Sequence, residues 1–265
     1  MEISFLFSTD LHGDLDRMDG LLSVGSRSGN PPIILGGDLF RAGRGNDIAS
    51  QTEILENQIE PRMESYRGDV YTIFGNNDWK VVADRIGELA PSLIDLQNHD
   101  AVLPSGLRLK GLSFVPPSPF LIKDWERMEK YGNNDERGRL EGLCSHDGGL
   151  RDCTISQRGT MWEEILKIGP LKDSILVSHG PPFGTCADMS VFEPHLGSVD
   201  LTRAAINDPP VAILCGHIHE APDVSKKPVC SLGETLVANP GSKRGNLTYI
   251  EGKMSKGLVL EFRSL

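Results

Sequence analysis

Apolar and β-branched runs that stop abruptly at a short polar block recur along this chain, and that recurrence limits the folds open to it. Ile3 to Thr9 runs into Asp10-Leu11-His12, Ile33 to Leu35 into Gly37-Asp38, and Ile175 to Val177 into Ser178-His179-Gly180. Two further blocks, Gly75-Asn76-Asn77-Asp78 and Gly216-His217-Ile218-His219, complete a series of five. The polar residues therefore stand where buried strands end, which is where open α/β sheets gather their ligands.

Between these blocks the pattern alternates. Leu15 to Leu22 reads as a short helix, giving a first β-α-β unit, and a second helix starts after Asp47 as N-cap, with Pro61 kinking or ending it. Val70 to Phe74, Ala101 to Leu103 and Leu107 to Val115 continue as strands. Thr160 with Glu163 forms a capping-box signal for a helix that Gly169-Pro170 closes, and Val199 to Ile206 reads as another helix before the strand Val211 to Cys215. The segments Thr235 to Ala238, Asn246 to Ile250 and Leu258 to Phe262 alternate between Gly-containing turns and are expected to pair antiparallel. From about 116 to 159 the periodicity dissolves into Pro, Gly, Asn and Asp, the mark of a lid, a binding loop or disorder inserted in a single domain spanning 1–265. The whole predicts an α/β protein of two packed mixed β-sheets flanked by helices, although periodicity alone also admits one mixed sheet.

Side chains on an extended segment alternate, so Asp10 and His12 are expected to point the same way and grip one ion. His217 and His219 share a face by the same rule, with Ile218 turned into the core. The order D-x-H, G-D, G-N-N-D, H, G-H-x-H resembles the calcineurin-like metallophosphoesterase superfamily, and the likeness extends from Asp10 to His219. The run from His179 through Thr185, with His195 to Ser198, is similar to a small prokaryotic branch of it. The resemblance implies an α/β/β/α sandwich and two metal ions. Asp10, His12, Asp38 and His219 would hold the first, and Asp38, Asn76, His179 and His217 the second, with Asp38 bridging. Imidazole, carboxylate and amide oxygen together suit Mn, Fe, Zn, Ni or Co rather than Ca²⁺. Two carboxylates against two divalent ions leave about two positive charges, which attract a phosphate ester and favour attack by a bridging hydroxide.

One position departs from the pattern. Where the superfamily carries histidine in its third block, Asn77 stands here, and an amide donates a hydrogen bond but exchanges no proton near neutrality. Asn77, Asp38 and His195 are the candidate catalytic residues, with His195 as a substitute acid or a contact to substrate. Arg41 or Arg44 could touch phosphate. Asp14 and Asp188 have capping as the simpler reading, and His99 and His146 fall in no motif.

Bulk properties narrow the function further. The 265 residues carry a net charge of −10, which argues against a general nucleic-acid binder, since such proteins need basic surface to displace counterions. No basic leader and no apolar run of membrane-spanning length opens the chain, so a soluble, cytoplasmic protein acting on a small phosphate ester is expected. The five cysteines, at scattered positions, read as buried or loop thiols, though Cys144 and Cys153 flank a Gly-rich loop and could pair or bind metal. The expected activity is hydrolysis of phosphodiesters or small phosphorylated metabolites rather than of phosphoproteins. A non-catalytic scaffold on the same fold and a metal-dependent nuclease are the alternatives. A dinucleotide-binding protein is remote, because the first strand ends without G-x-G-x-x-G.

Overall fold

The computed structural model describes residues 3–41, 43, 45–134, 138–147 and 149–265. Among them, two six-stranded sheets form the body of the molecule. In the first, the strands lie in the order Leu258–Ser264, Thr248–Met254, Ile3–Ser8, Ile33–Gly36, Val70–Ile73 and Leu93–Asp95. In the second they run Val229–Leu232, Thr235–Ala238, Ala212–Cys215, Ser174–Ser178, Arg108–Leu112 and Ala101–Val102. Four neighbouring strands in each sheet are parallel, and the antiparallel pairs lie outside those four. Thr235–Ala238 is therefore not a purely antiparallel strand, as its turn-rich surroundings suggest, but runs parallel to Ala212–Cys215. Both sheets are mixed, as expected.

Alternation along each strand divides the core in two. Phe5, Phe7, Ile34 and Ile73 of the first sheet and Leu109, Ile175, Val177 and Leu214 of the second form one apolar cluster, the layer between the sheets. Their neighbours Leu6, Ile33, Leu35, Leu176 and Ile213 belong to a second cluster that includes helical residues such as Met18, Leu21, Leu55, Met161, Ile165 and Leu201. The inner parallel strands are thus buried on both faces, as parallel sheets with crossover helices require.

The helices start where capping chemistry places them. Asp14, Asp47, Thr160 and Ser198 each accept a hydrogen bond from a backbone N–H of the first turn, and Thr160 with Glu163 completes the reciprocal capping box. The helix Ile48–Ile54 does not end or break at Pro61. It widens into a π-turn over Leu55–Ile59 and continues as Glu60–Ser65, with Pro61 in the first turn of that last segment, where a missing N–H costs least.

The stretch from 116 to 159 holds more order than its composition suggests. Glu141–His146 and Gly149–Thr154 pair as an antiparallel hairpin. Trp125 is buried, Lys123 and Glu126 form a fully buried ion pair at 2.8 Å, and Arg127 reaches Glu164 on the helix Met161–Ile168 at 2.9 Å. Hydropathy reading misses this segment because several of its buried members are charged residues that pair with one another, leaving no apolar period.

The cysteines also depart from expectation. Cys144 pairs with Cys153 across the hairpin, and Cys186 pairs with Cys230 over 44 residues. Cys215 alone is a buried free thiol. The second bridge joins a loop to a strand remote in sequence, so spacing carries no sign of it.

Candidate metal centre

At one end of the two sheets the loops that follow five of the strands converge. Asp10, His12, Asp38 and His219 bring one ligand atom each to within 4.8 Å of one another. His219 Nε2 stands 3.1 Å from Asp10 Oδ1 and 3.1 Å from His12 Nε2, and His12 Nε2 lies 3.7 Å from Asp38 Oδ2. The other oxygen of Asp38 faces a second set. His179 Nε2 lies 3.4 Å from Asp38 Oδ1 and 3.1 Å from Asn76 Oδ1, and the ring of His217 sits 5.2 Å from that of His179. Asp38 thus presents one oxygen to each group, the placement a bridging ligand needs.

This convergence comes about differently from strand alternation. Asp10, His12, Asp38 and His217 all have left-handed backbones, with φ of 54°, 49°, 51° and 66°. Each such turn costs roughly 1–2 kcal/mol for a residue with a side chain. The loops are held by hydrogen bonds between them: Asp10 N–H donates to Gly37 O, His12 N–H to Asp38 O and Gly13 N–H to Leu39 O. Ile218 is buried, as expected.

Gly75 and Gly216 serve by close approach rather than by bending. A Cβ on Gly75 would stand 2.2 Å from Asp38 Oδ1 and 2.6 Å from His179 Cε1, and one on Gly216 would stand 2.2 Å from Asp10 Oδ2. Neither has the positive φ that a turn glycine needs; Gly37, at 92°, does.

Asn77 grips Asp38 twice. Its side-chain amide donates to Asp38 Oδ2 at 2.5 Å and its backbone N–H to Oδ1 at 2.8 Å, so the amide orients the shared carboxylate. Asp78, fully buried, accepts from the backbone N–H groups of Leu39, Phe40 and Gly75 and ties the second and third loops together. Burial, reinforced by the Asp38 charge, pushes its carboxyl up to about 8. Burial also works against charge on Asp10 and Asp38, yet the imidazoles of His219 and His179 respectively outweigh it and hold both below the ordinary carboxylate range. His179 is opposed by burial but raised by Asp38 to about 9, while burial and the charge of His179 bring His217 down to about 4. His179 Nδ1 lies 2.9 Å from Gly36 O, so its neutral form keeps the proton there and turns the Nε2 lone pair toward Asn76 and Asp38.

His195 pairs with a carboxylate outside the five blocks. Its Nδ1 bonds Asp188 Oδ1 at 2.8 Å, and it is not among the residues that line the cavity over the site. Asp188 caps the turn Cys186–Asp188, and Asp14 caps the helix Leu15–Arg27, the simpler role in both cases. Arg41, His99 and His146 are exposed, and Arg44 lies outside the described residues.

Three buried residues that no motif marks hold the loops in place. Arg17 donates from Nη2 to the carbonyls of Asp10 and Leu11, Asn239 donates to Gly216 O and Ile218 O, and Gln51 donates to Asn77 O while accepting from Trp79 N–H. An arginine on the apolar stripe of a helix, one residue before Met18, is the signal available for Arg17.

The donors fit metal ions. Carboxylate oxygens, imidazole nitrogens and an amide oxygen gather within 3.1 to 3.9 Å of one another, and the fixed Nε2 of His179 adds a ready lone pair. Above them opens a cavity of about 330 Å³ lined by Asp38, Asn76, Asn77, His217 and His219 together with residues of two loops, 116–120 and 190–196.

Comparison with known proteins agrees with this geometry. The family described as calcineurin-like phosphoesterase matches residues 3–221. The uncharacterized protein MJ1162 of Methanocaldococcus jannaschii is 36% identical over 77 residues, 28% of this chain and 33% of that relative, so the match spans about a third of its length. A dimetal phosphatase from Danio rerio shares the fold with a TM-score of 0.59 and 12% identity, over 100% of this chain and 98% of that one. TT1561 of Thermus thermophilus shares it with a TM-score of 0.57 and 14% identity, over 95% of each chain. Proteins of this family use a dinuclear metal centre. The chain belongs to the calcineurin-like phosphoesterase family.

Proposed function

We propose that this protein is a metal-dependent hydrolase of small phosphate esters, with diesters favoured over phosphoproteins. The observation that carries the proposal is the pair of donor groups sharing Asp38 at the floor of an open cavity. Asp10, His12, Asp38 and His219 would hold one ion, and Asp38, Asn76, His179 and His217 the other. Bound there, the ions supply Lewis-acid stabilisation of phosphoryl charge and a lowered pKa for the attacking water.

The protein's own groups prepare that chemistry. Asn77 fixes both oxygens of Asp38, Gly36 O fixes the tautomer of His179, and the left-handed loops set the remaining donors. In the overall reaction, water oxygen bonds to phosphorus, the bond from phosphorus to the ester oxygen breaks, and the departing oxygen leaves as an alcohol. No histidine stands at position 77 to protonate that oxygen, and His195 is bonded to Asp188 outside the cavity lining. Esters with acidic leaving groups are therefore the better substrates. A scan of kcat against leaving-group pKa should fall steeply in the wild type and flatten in Asn77→His, because a general acid is commonly worth ~10² to 10⁴ in rate. Equal slopes in both would discard the idea.

The decisive experiment is a metal-reconstituted panel of phosphomonoesters, diesters, cyclic nucleotides and short nucleic acids, with Asp38→Ala beside the wild type and metal content measured for both. Metal-dependent turnover that Asp38→Ala abolishes supports the proposal. Metal binding without hydrolysis of any ester favours a scaffold, and preference for nucleic acid favours a nuclease. Among the described residues no helix is long and apolar enough to cross a membrane. The two disulfides weigh against a reducing cytoplasm as the place of action.

A further inference from the structure

We infer that the cavity over the metal centre selects a phosphate ester whose organic group is bulky, apolar and free of a second negative charge, held between Phe120 and Phe192. The inference rests on the phosphoesterase reading and names the substrate class of that same site.

Phe120 and Phe192 line the cavity from two separate loops. They are 50% and 88% exposed, in a chain whose other phenylalanines are mostly buried. An exposed aromatic ring at the mouth of a polar site gains nothing until a ligand covers it. Neither loop is loose. The first carries Pro116, Pro117 and Pro119, whose rings restrict the backbone, and Ser118 between them bonds the buried Glu126 through both its N–H and its hydroxyl. Glu126 is itself paired with buried Lys123. In the second loop, Ser190 donates to Glu220 Oε1 at 2.7 Å and accepts from Phe192 N–H at 3.2 Å. The rings are thus presented by anchored supports.

Charge completes the argument. Glu220 follows the metal-site residue His219 directly and lines the same cavity. No lysine or arginine is among the described residues that line it. A carboxylate or a second phosphate on the organic group, held out at the aromatic mouth, would meet Glu220 with no lysine or arginine among the described lining residues to pair it, an unfavourable contact where solvent screening is reduced. An uncharged apolar group meets Phe120, Phe192 and Leu196 instead.

The test uses diesters that share one leaving group: methyl, phenyl and carboxymethyl p-nitrophenyl phosphate, on the metal-loaded protein. The phenyl ester should exceed the methyl ester in kcat/KM by roughly tenfold, in line with ring burial in an apolar pocket, and the carboxymethyl ester should fall below both. Phe120→Ala and Phe192→Ala, both at exposed positions, should each lower the phenyl-to-methyl ratio by about threefold or more, and Glu220→Gln should raise the carboxymethyl-to-methyl ratio. Calorimetric binding of phenylphosphonate against methylphosphonate gives a readout independent of turnover, with the phenyl compound expected to bind more tightly in wild type and less so in the two variants. Equal binding of the two phosphonates, or ratios that the substitutions leave unmoved, overturns the inference. Failure to hydrolyse any ester sinks the phosphoesterase reading, and the phosphonate comparison then decides the inference separately.

Discussion

The first sheet and the second bring different donors to the same place. From the first come the oxygens of Asp10, Asp38 and Asn76, with His12 beside them; from the second come only imidazoles, His179, His217 and His219. Each sheet also carries a glycine where the other's ligand sits. Gly75, after a first-sheet strand, clears space for Asp38 of its own sheet and for His179 of the other, and Gly216, after a second-sheet strand, clears space for Asp10. Neither sheet has a site alone. The candidate centre is a product of their stacking.

The sharpest way to break this comparison is to remove the residue both groups share. Asp38→Ala should lower bound metal from about two ions per chain to one or fewer and depress hydrolysis by roughly 10³-fold or more, since several kcal/mol of transition-state stabilisation pass through that carboxylate. His219→Ala, which strips one group only, should cost less. Equal metal content in both, read by elemental analysis, would show that the two groups do not share Asp38.

Next in size is the bridge that ties the turn Cys186–Asp188 to the outer strand of the second sheet. Replacing Cys186 and Cys230 together by serine should lower unfolding stability by about 2–4 kcal/mol, the range for a native disulfide closing a loop of this order. Denaturant titration of the double variant against the oxidised wild type measures it, and unchanged stability would show that the packing of this turn suffices without the bridge.

The reciprocal glycines come third. Gly75→Ala should displace Asp38 and His179 and weaken metal binding by roughly 10- to 100-fold, and Gly216→Ala should do the same through Asp10. Competition with a metal-sensitive dye reads both. If only one substitution weakens binding, the symmetry between the sheets is false.

The smallest effect concerns the outer face of the first sheet. Tyr66 donates its hydroxyl to Pro31 O at 2.6 Å, and burial pushes the phenol up from 10.0 to about 12. The neutral form is favoured in the folded state, so its contribution is intact below pH 10 and is lost as pH rises from 10 to about 12. Thermal melts across that window should show a decline of roughly 1–3 kcal/mol that is shallower in Tyr66→Phe. Tyr71, also raised to about 12, and Tyr249, raised by burial, contribute to the part that remains. Parallel declines in the two proteins would remove Tyr66 as a cause.

Much of this molecule can be read from residue order because the signals are contiguous. A strand-ending Asp10-Leu11-His12, a Thr160 to Glu163 capping box or an Asn77 in place of histidine each occupies a few neighbouring positions and acts through local backbone chemistry. Strand alternation leads to the right residues at Asp10 and His12 by a mechanism the backbone does not use, since left-handed turns make them converge. The hairpin between 141 and 154 leaves no such signal because several of the buried residues around it are paired charges, and pairing is invisible to hydropathy.

What residue order could not disclose lies in contacts across long separations. Asn239 holding the His217 loop, Cys186 meeting Cys230 and Phe120 joining Phe192 over one cavity all depend on which segments the stacked sheets bring together. The donors were legible because chemistry restricts which side chains bind metal. Their division between two sheets, and the glycines that let those sheets meet, follow from packing, where a single Cβ at 2.2 Å decides what fits.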